Sequence, residues 1–517
     1  MIKIAVLCHE AVLWKNNGYN FAFGFYKYLS NYCTIRCVIP RVSPYLKENV
    51  LEINENLLIK VVTPNEGFRF KYPEIHDFFD LAERAHECIV LIEKIKEVID
   101  ECDLIICDTF VWGGFVSKVF PNKRMILRSL DVEQDKIDQA YAANVLREPE
   151  SQISWKLFRD KVVNLERIAY QSADACLVLT EEDGRRLSRL YQIPREKMSL
   201  LPLCIENIDF YRGLCPVQHA RSGDTLNVAF VGFLVNDCWN SFDIIIATAN
   251  ELPNVTFHII GKQIGRKIGR KIGRNIVVYG EVDEAKKREI ILKCDCALNL
   301  SVQTYGMNSK LIDYILCGCP IISTYLGVRG YALQAYVHYF PCEQDMLSDC
   351  IRKFMLLPMK QRYLMAQQAF LLLFTNHDYK RYMHNIISLI GISKRKEEQI
   401  EKEVRYFIFG AGIAGKKALS SITAEGGTCI GFIDNNEKLI GNEIDSYRVF
   451  SPKEAFNLIN EKTNVILVVA ADIPRFLKEM YSQAYQNIIE KERIYIYNCD
   501  EFHSSDIDCS KLLSLEE

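Results

Sequence analysis

A chain of 517 residues is too long for one ordinary core and implies about three domains of ~150 to 200 residues each. Its 63 basic and 66 acidic side chains leave a net charge of −3, which offers no global field for nucleic acid and puts specificity in local sites. No stretch approaches the ~20 apolar residues that span a bilayer, and MIKIAVLCHE meets charge too early for a signal peptide; a cytoplasmic protein is expected, with peripheral contact to the inner face of a membrane still open.

Short β-branched runs, each followed by a longer amphipathic segment, predict parallel strands with crossover helices. The first α/β unit reads as strands at Ile2–Cys8, Thr34–Ile39, Leu58–Val62, Leu104–Cys107, Met125–Ser129 and Ala175–Leu179, with a helix over 156–173 feeding the last. His9 and Glu10 close the first strand, where His9 is either a polar catalytic group or a structural histidine. Gly18, in WKNNGYNFAFGFYKYL, opens the first helix; it either lets a backbone approach a ligand or makes a simple turn. After Pro202 the polar, turn-rich ENIDFYRGLCPVQHARSGDT reads as a linker.

A second unit runs through LNVAFVG, VTFHIIG, NIVVYG, CALNLS and PIISTY and reads as another doubly wound sheet. Inside it IGRKIGRKIGR, at 264–274, is a four-residue tandem repeat. It is either a solvated loop or a cationic loop meeting phosphates, an anionic acceptor or lipid headgroups. Residues 344–391 read as helical throughout. The charged ISKRKEEQIEKEV breaks the pattern, and a third α/β unit follows from Tyr406 to about Asn498. The expected division is 1–210, 211–392, a linker at 393–403, and 404–517.

Nineteen cysteines spread over so long a chain read as small buried hydrophobes, as with Cys107 in DLIICD and Cys176 in ADACLVL. The C-x-C pairs Cys294/Cys296 and Cys317/Cys319 lack the spacing of a structural zinc site, and no metal is expected.

The densest polar cluster of the second unit is TYGMNSKLIDYILCGCPIISTYLGVRGY, residues 304–331. Gly306 and Asn308 lie in a loop entering a helix that carries Lys310 and Asp313 on neighbouring parts of one face. Backbone N–H groups at a helix start attract an anion, and Lys310 adds a full charge beside them. A diphosphate suits this arrangement.

These residues resemble the GT-B glycosyltransferases, within them the large retaining group called family 4 or group 1, which carries a glycine-containing loop, a helix, a G-x-P-[VI]-[IV] turn and a G-x-x-G segment. The resemblance extends to LNVAFVGF, VTFHIIGK, CDCALNL, ERIAYQSADACLVLTEEDGRRL and PNKRMILRSLDVEQDKID, covering about residues 1–390. It implies two Rossmann-like domains in GT-B arrangement, the first on the acceptor side, the second on the nucleotide-sugar donor side with its last helices packing back. It also implies transfer of a sugar to a glycan or lipid-linked acceptor, as in surface-polysaccharide assembly, with the anomeric configuration retained. Asn308 and Lys310 would contact the diphosphate, with Gly18, Gly232 and Gly306 near the donor, and Asp131 and Glu133 would orient an acceptor hydroxyl or cap the next helix.

The family's two glutamates fall here on Tyr305 and Asp313, and GFLVNDCWNSF lacks the family's basic pair, so Lys262, Arg266 or Arg329 would supply the second positive charge. No D-x-D motif falls in either cleft-forming unit; Asp506 and Asp508 lie in the tail.

In the third unit RYFIFGAGIAGKKAL sets Gly410, Gly412 and Gly415 between a strand and a helix, and Asp434 ends the next strand. This is a dinucleotide fingerprint: the glycines admit a phosphate and the acid holds a ribose diol. The unit resembles Rossmann-like domains found beside polysaccharide-biosynthesis enzymes, and NAD(P) or another nucleotide is the expected ligand. No Y-x-x-x-K pair is present for redox chemistry. Two further readings stay open: a catalytically weakened GT-B scaffold with a nucleotide-sensing domain, and an NAD-dependent sugar oxidoreductase.

Overall fold

The computed structural model describes residues 2–8, 20–40, 49–62, 89–144, 151–205, 225–232, 237–261, 273–391, 405–424, 428–461, 465–471, 474–488 and 494–496. They build three sheets, of which the first two belong to one compact unit and the third to another. Each sheet is almost wholly parallel, as runs buried on both faces require.

The first sheet contains β1 (Lys3–Leu7), β2 (Thr34–Pro40), β3 (Asn49–Asn54), β4 (Leu57–Val62), β5 (Leu104–Asp108), β6 (Met125–Arg128), β7 (Ala175–Val178) and β8 (Met198–Leu200). Their order is β3-β4-β2-β1-β5-β6-β7-β8, so the winding reverses between β1 and β5. Helices α1 (Asn20–Leu29), α2 (Ile89–Asp100), α3 (Phe110–Val119), α4 (Glu133–Asn144), α5 (Ser151–Ser172) and α6 (Glu181–Tyr191) accompany it. The six expected strands are present. Strands β3 and β8 were not expected: β8 pairs parallel with β7, and β3 pairs antiparallel with β4 through a turn in which the Asn54 side chain accepts from Asn56 N at 2.9 Å, a local bond that periodicity does not reveal.

The second sheet contains β9 (Leu226–Val231), β10 (Val255–Ile260), β11 (Ile276–Gly280), β12 (Cys296–Asn299), β13 (Ile321–Ser323) and β14 (Phe340–Pro341), in the order β11-β10-β9-β12-β13-β14. Its helices are α7 (Asp237–Glu251), α8 (Glu284–Leu292) and α9 (Lys310–Leu316). Residues 344–391 are helical, as expected, with two short breaks. They form a 3₁₀ turn followed by α10 (Leu347–Leu356), α11 (Met359–Asn376) and α12 (Tyr379–Ile390). Pro358 stands at the first break, and Asp378 caps α12 by accepting from Lys380 N at 3.0 Å.

Helix α12 packs on the first sheet's α1. Tyr379 donates to Phe21 O at 2.9 Å and stacks on Tyr28 at 5.3 Å, while Arg124 donates to Ile390 O at 3.3 Å.

The third sheet, in the second unit, contains β15 (Arg405–Phe409), β16 (Thr428–Ile433), β17 (Glu443–Ile444), β18 (Tyr447–Phe450), β19 (Val465–Val469) and β20 (Ile494–Ile496), ordered β17-β18-β16-β15-β19-β20. Helices α13 (Ile413–Ala424), α14 (Pro452–Glu461) and α15 (Pro474–Asn487) complete it. The chain is thus α/β throughout, with two Rossmann-like sheets followed by a third.

Candidate functional site

In the second sheet β9 lies between β10 and β12, so the winding reverses beside β9 and its carboxyl end borders a crevice. Gly232 follows β9 and donates to Ile260 O at 3.0 Å. Lys310, the first residue of α9, places its ammonium 5.1 Å from the centre of the buried Phe230 ring on β9. Ring and cation attract each other and hold the ammonium at the sheet edge. Ser309, at the N-cap, makes no side-chain capping bond; the Leu311 and Ile312 amides at the start of α9 donate instead to Asn308 O at 3.1 Å and Ser309 O at 3.0 Å.

Asn308 is fixed on both sides: its amide donates to Gly327 O at 3.1 Å, and its carbonyl accepts from Tyr331 at 2.8 Å. Asn299 donates to the same Gly327 oxygen at 2.7 Å. The loop after β12 is thereby stitched to the turn after β13. Asp313, one turn into α9, pairs with Lys287 of α8 at 2.9 Å, and Lys287 also meets Glu284 at 2.8 Å. Burial pushes the Asp313 carboxyl up from its ordinary value, against the pull of Lys287.

The first sheet faces this loop with the carboxyl ends of β5 and β6. Gly306 has φ +60°, and a Cβ there would lie 2.2 Å from Asp131 Oδ1 and 3.2 Å from Leu130 O, so the position requires glycine twice over. The neighbouring Tyr305 is buried among the first sheet's core side chains. Asp131 and Glu133 both contact Lys136, at 3.0 and 3.3 Å. With Thr109, Ser129 and Tyr170 they line a polar pocket. Burial raises the Glu133 carboxyl.

Capping of α4 falls instead to Glu166, which accepts from Glu133 N at 2.8 Å, Gln134 N at 3.0 Å and Tyr191 OH at 2.5 Å. Its carboxyl is pushed up to about 8 by burial, which outweighs those bonds. Deeper in the same sheet Asp108 and Arg128 form a buried pair at 2.6 Å.

Arg329, expected on the donor phosphates, is committed elsewhere. Its guanidinium donates to both Asp183 oxygens, at 2.7 and 3.1 Å, and to Gly306 O at 2.8 Å. Sequence reasoning missed Asp183, Lys287, Glu166 and Phe230. Only Asp183 carried a local signal, as the third helical residue after the Thr180 cap.

In the second unit the glycine segment runs from the end of β15 into α13. Gly410 has φ +111°, and a Cβ there would lie 2.0 Å from Ala470 O; on Gly415 it would lie 1.8 Å from Gly410 O. Gly412 is exposed at the bend before α13. Asp434 accepts from Ala411 N at 3.0 Å and Asn436 N at 2.9 Å, bracing the glycine loop from the end of β16.

His9, Glu10, Gly18, Lys262, Arg266, Asp506 and Asp508 lie outside the described residues, as do most of the tandem repeat and both expected linkers except Thr225. Cys107, Cys176, Cys294, Cys296 and Cys319 are buried, and burial raises the thiols of Cys176 and Cys317 to about 12. Among the described residues no group of three His, Cys, Asp or Glu side chains is placed to hold a metal, and no helix is long and apolar enough to cross a membrane.

Paired Rossmann-like sheets, with the last helix returning to the first, define a GT-B fold. Residues 225–350, which carry the second sheet, match the family model of group 1 glycosyl transferases. Among solved structures the chain is similar to HepE of Anabaena in complex with UDP-glucose, with TM-score 0.52, 13% identity, and coverage of 75% of this chain and 99% of that one. It is similar to sucrose-phosphate synthase of Thermosynechococcus elongatus, with TM-score 0.55, 13% identity, 77% and 100% coverage. A UDP-forming α,α-trehalose-phosphate synthase of Burkholderia vietnamiensis gives TM-score 0.52 and 12% identity over 75% and 99%. No curated protein sequence matches the chain.

Proposed function

We propose that this protein is a glycosyltransferase that moves a sugar from a nucleotide-sugar donor to a glycan or lipid-linked acceptor in cell-surface polysaccharide biosynthesis, on the cytoplasmic side of the membrane. The carrying observation is Lys310, held over Phe230 beside the start of α9 at the carboxyl edge of the second sheet. A cation at that place stabilises negative charge building on a departing nucleoside diphosphate. HepE, similar in fold, was solved with UDP-glucose, which makes UDP-sugars the first donors to test.

In this reading the first domain binds the acceptor and the second the donor. Gly232, Gly306 and Asn308 shape the donor pocket, Asp313 lies toward the nucleotide ribose, and His9, Gly18 and Lys262 complete the site. The family resemblance implies retention, and the lack of a D-x-D motif in either unit supports transfer without a metal. The glycine loop of the third domain, with Asp434, takes NAD(P) or another nucleotide.

A second reading draws on Tyr305, which fills the family's first glutamate position and points into a core: a GT-B binding protein with weakened catalysis.

The test is a thermal-shift panel of nucleotide sugars, NAD and NADP on wild type and Lys310→Ala. A nucleotide sugar is expected to raise the melting temperature of wild type and to lose most of that effect in Lys310→Ala. Equal stabilisation of both proteins would remove the phosphate role of Lys310.

A further inference from the structure

Arg329 and Asp183 are 146 residues apart, one in the turn after β13 and the other in the first turn of α6. Their side chains are 10% and 2% exposed, and the guanidinium fork meets both carboxylate oxygens. The carboxylate also accepts from the Thr180 hydroxyl at 2.8 Å, while Asp183 N donates to that hydroxyl at 3.0 Å. Glu181 and Glu182 share the first turn of α6 with Asp183 and counter the helix's positive end, which would otherwise repel a guanidinium. The remaining hydrogen bond of Arg329 goes to Gly306 O, inside the donor loop. Beside it Gly330 abuts Thr180, where a Cβ would come within 2.7 Å of the threonine methyl.

We propose that Arg329 is a positioning residue that makes closure of the two GT-B halves and the setting of the donor loop a single event, with Asp183 as its partner. One guanidinium grips the first domain's helix cap and the backbone of the loop that leads to Asn308 and Lys310. When the halves part, Arg329 loses Asp183 and with it the fixed geometry that holds Gly306. Both charges then return to water, so the net cost of parting is modest and the latch is reversible, in contrast to an ion pair buried in a core. Lysine cannot replace the fork, because three directional bonds are needed at once.

This inference rests on the glycosyltransferase reading for its catalytic consequence and on geometry alone for the latch. The experiment compares wild type, Arg329→Met, Asp183→Asn and the double variant in the full-length protein. Small-angle scattering reads the separation of the halves, and donor turnover is measured with the nucleotide sugar that most stabilises wild type. Both single variants are expected to shift the scattering distance distribution outward and to lower kcat about tenfold, with the donor KM changing less than about threefold. The double variant should lose no more than the worse single one, since both remove the same bond pair. Asp183→Asn keeps the size of the side chain and guards against a misfolded Arg329→Met. Unchanged scattering in both single variants, or additive losses in the double, would overturn the latch. Absence of turnover in wild type would instead count against the transferase reading and leave the scattering comparison standing.

Discussion

His377 stands where the chain passes between the two GT-B halves. Its Nδ1 lies 2.6 Å from Leu203 O, which requires the proton on that nitrogen, and its ring stacks 4.9 Å from Tyr331, whose hydroxyl holds Asn308. The other ring nitrogen is buried without a hydrogen-bond partner. Burial lowers the imidazole from 6.5 to about 4. A depressed histidine binds fewer protons folded than unfolded, so its contribution to stability is full above about pH 6.5 and is lost as pH falls toward 4. His377→Asn keeps a donor for Leu203 and does not titrate. Urea unfolding at about pH 7 and about pH 5 should show wild type losing stability relative to this variant at the lower pH, by at most about 2 kcal/mol. An equal gap at both pH values would show that His377 is not held neutral.

At the scale of elements, the start of α4 is set by a distant side chain. Glu133 and Asp135 are acids in its first turn, yet the amides of Glu133 and Gln134 are taken by Glu166 of α5. Removing that carboxyl group strands two amide donors and the Tyr191 hydroxyl. Glu166→Ala is therefore expected to cost about 2 to 4 kcal/mol in chemical denaturation, while Glu166→Gln, which still offers an acceptor, should cost less. Similar losses in the two variants would mean that packing, not capping, is at stake.

Such cross-element bonds mark the limit of what the sequence shows. Strands β1, β2, β5 and β9 were legible because apolar runs between turn signals need no knowledge of partners. The polar segment that holds Gly306, Asn308, Lys310 and Asp313 was legible because these residues are neighbours in the chain. Glu166 on α4, Asp183 on Arg329 and Lys287 on Asp313 were not, since each joins residues brought together only by packing. The partners of Arg329 were hidden for the same reason: a charge near a site looks available until its partner is seen.

At the scale of the whole molecule, one device appears three times. In each sheet the first strand of the unit sits beside the reversal of winding, and the carboxyl end of that strand leads to the candidate ligand residues. In the GT-B body two such ends share one compact unit, and Gly306, Tyr305 and Arg329 of the second half meet Asp131, core side chains and Asp183 of the first. The third sheet carries the same device with Gly410 and Asp434.

In the proposed function, the ammonium of Lys310 at the start of α9 receives the diphosphate of a sugar donor whose bond the protein breaks. The most direct measurement is the steady-state release of nucleoside diphosphate from the donor identified by thermal shift, in wild type and Lys310→Ala. Wild type is predicted to release it, and loss of the Lys310 ammonium to slow release about 100-fold, which corresponds to about 2.7 kcal/mol of transition-state stabilisation. Equal rates in the two proteins would remove Lys310 from catalysis, and no release by wild type from any donor it binds would mean that the protein is not a glycosyltransferase for those donors.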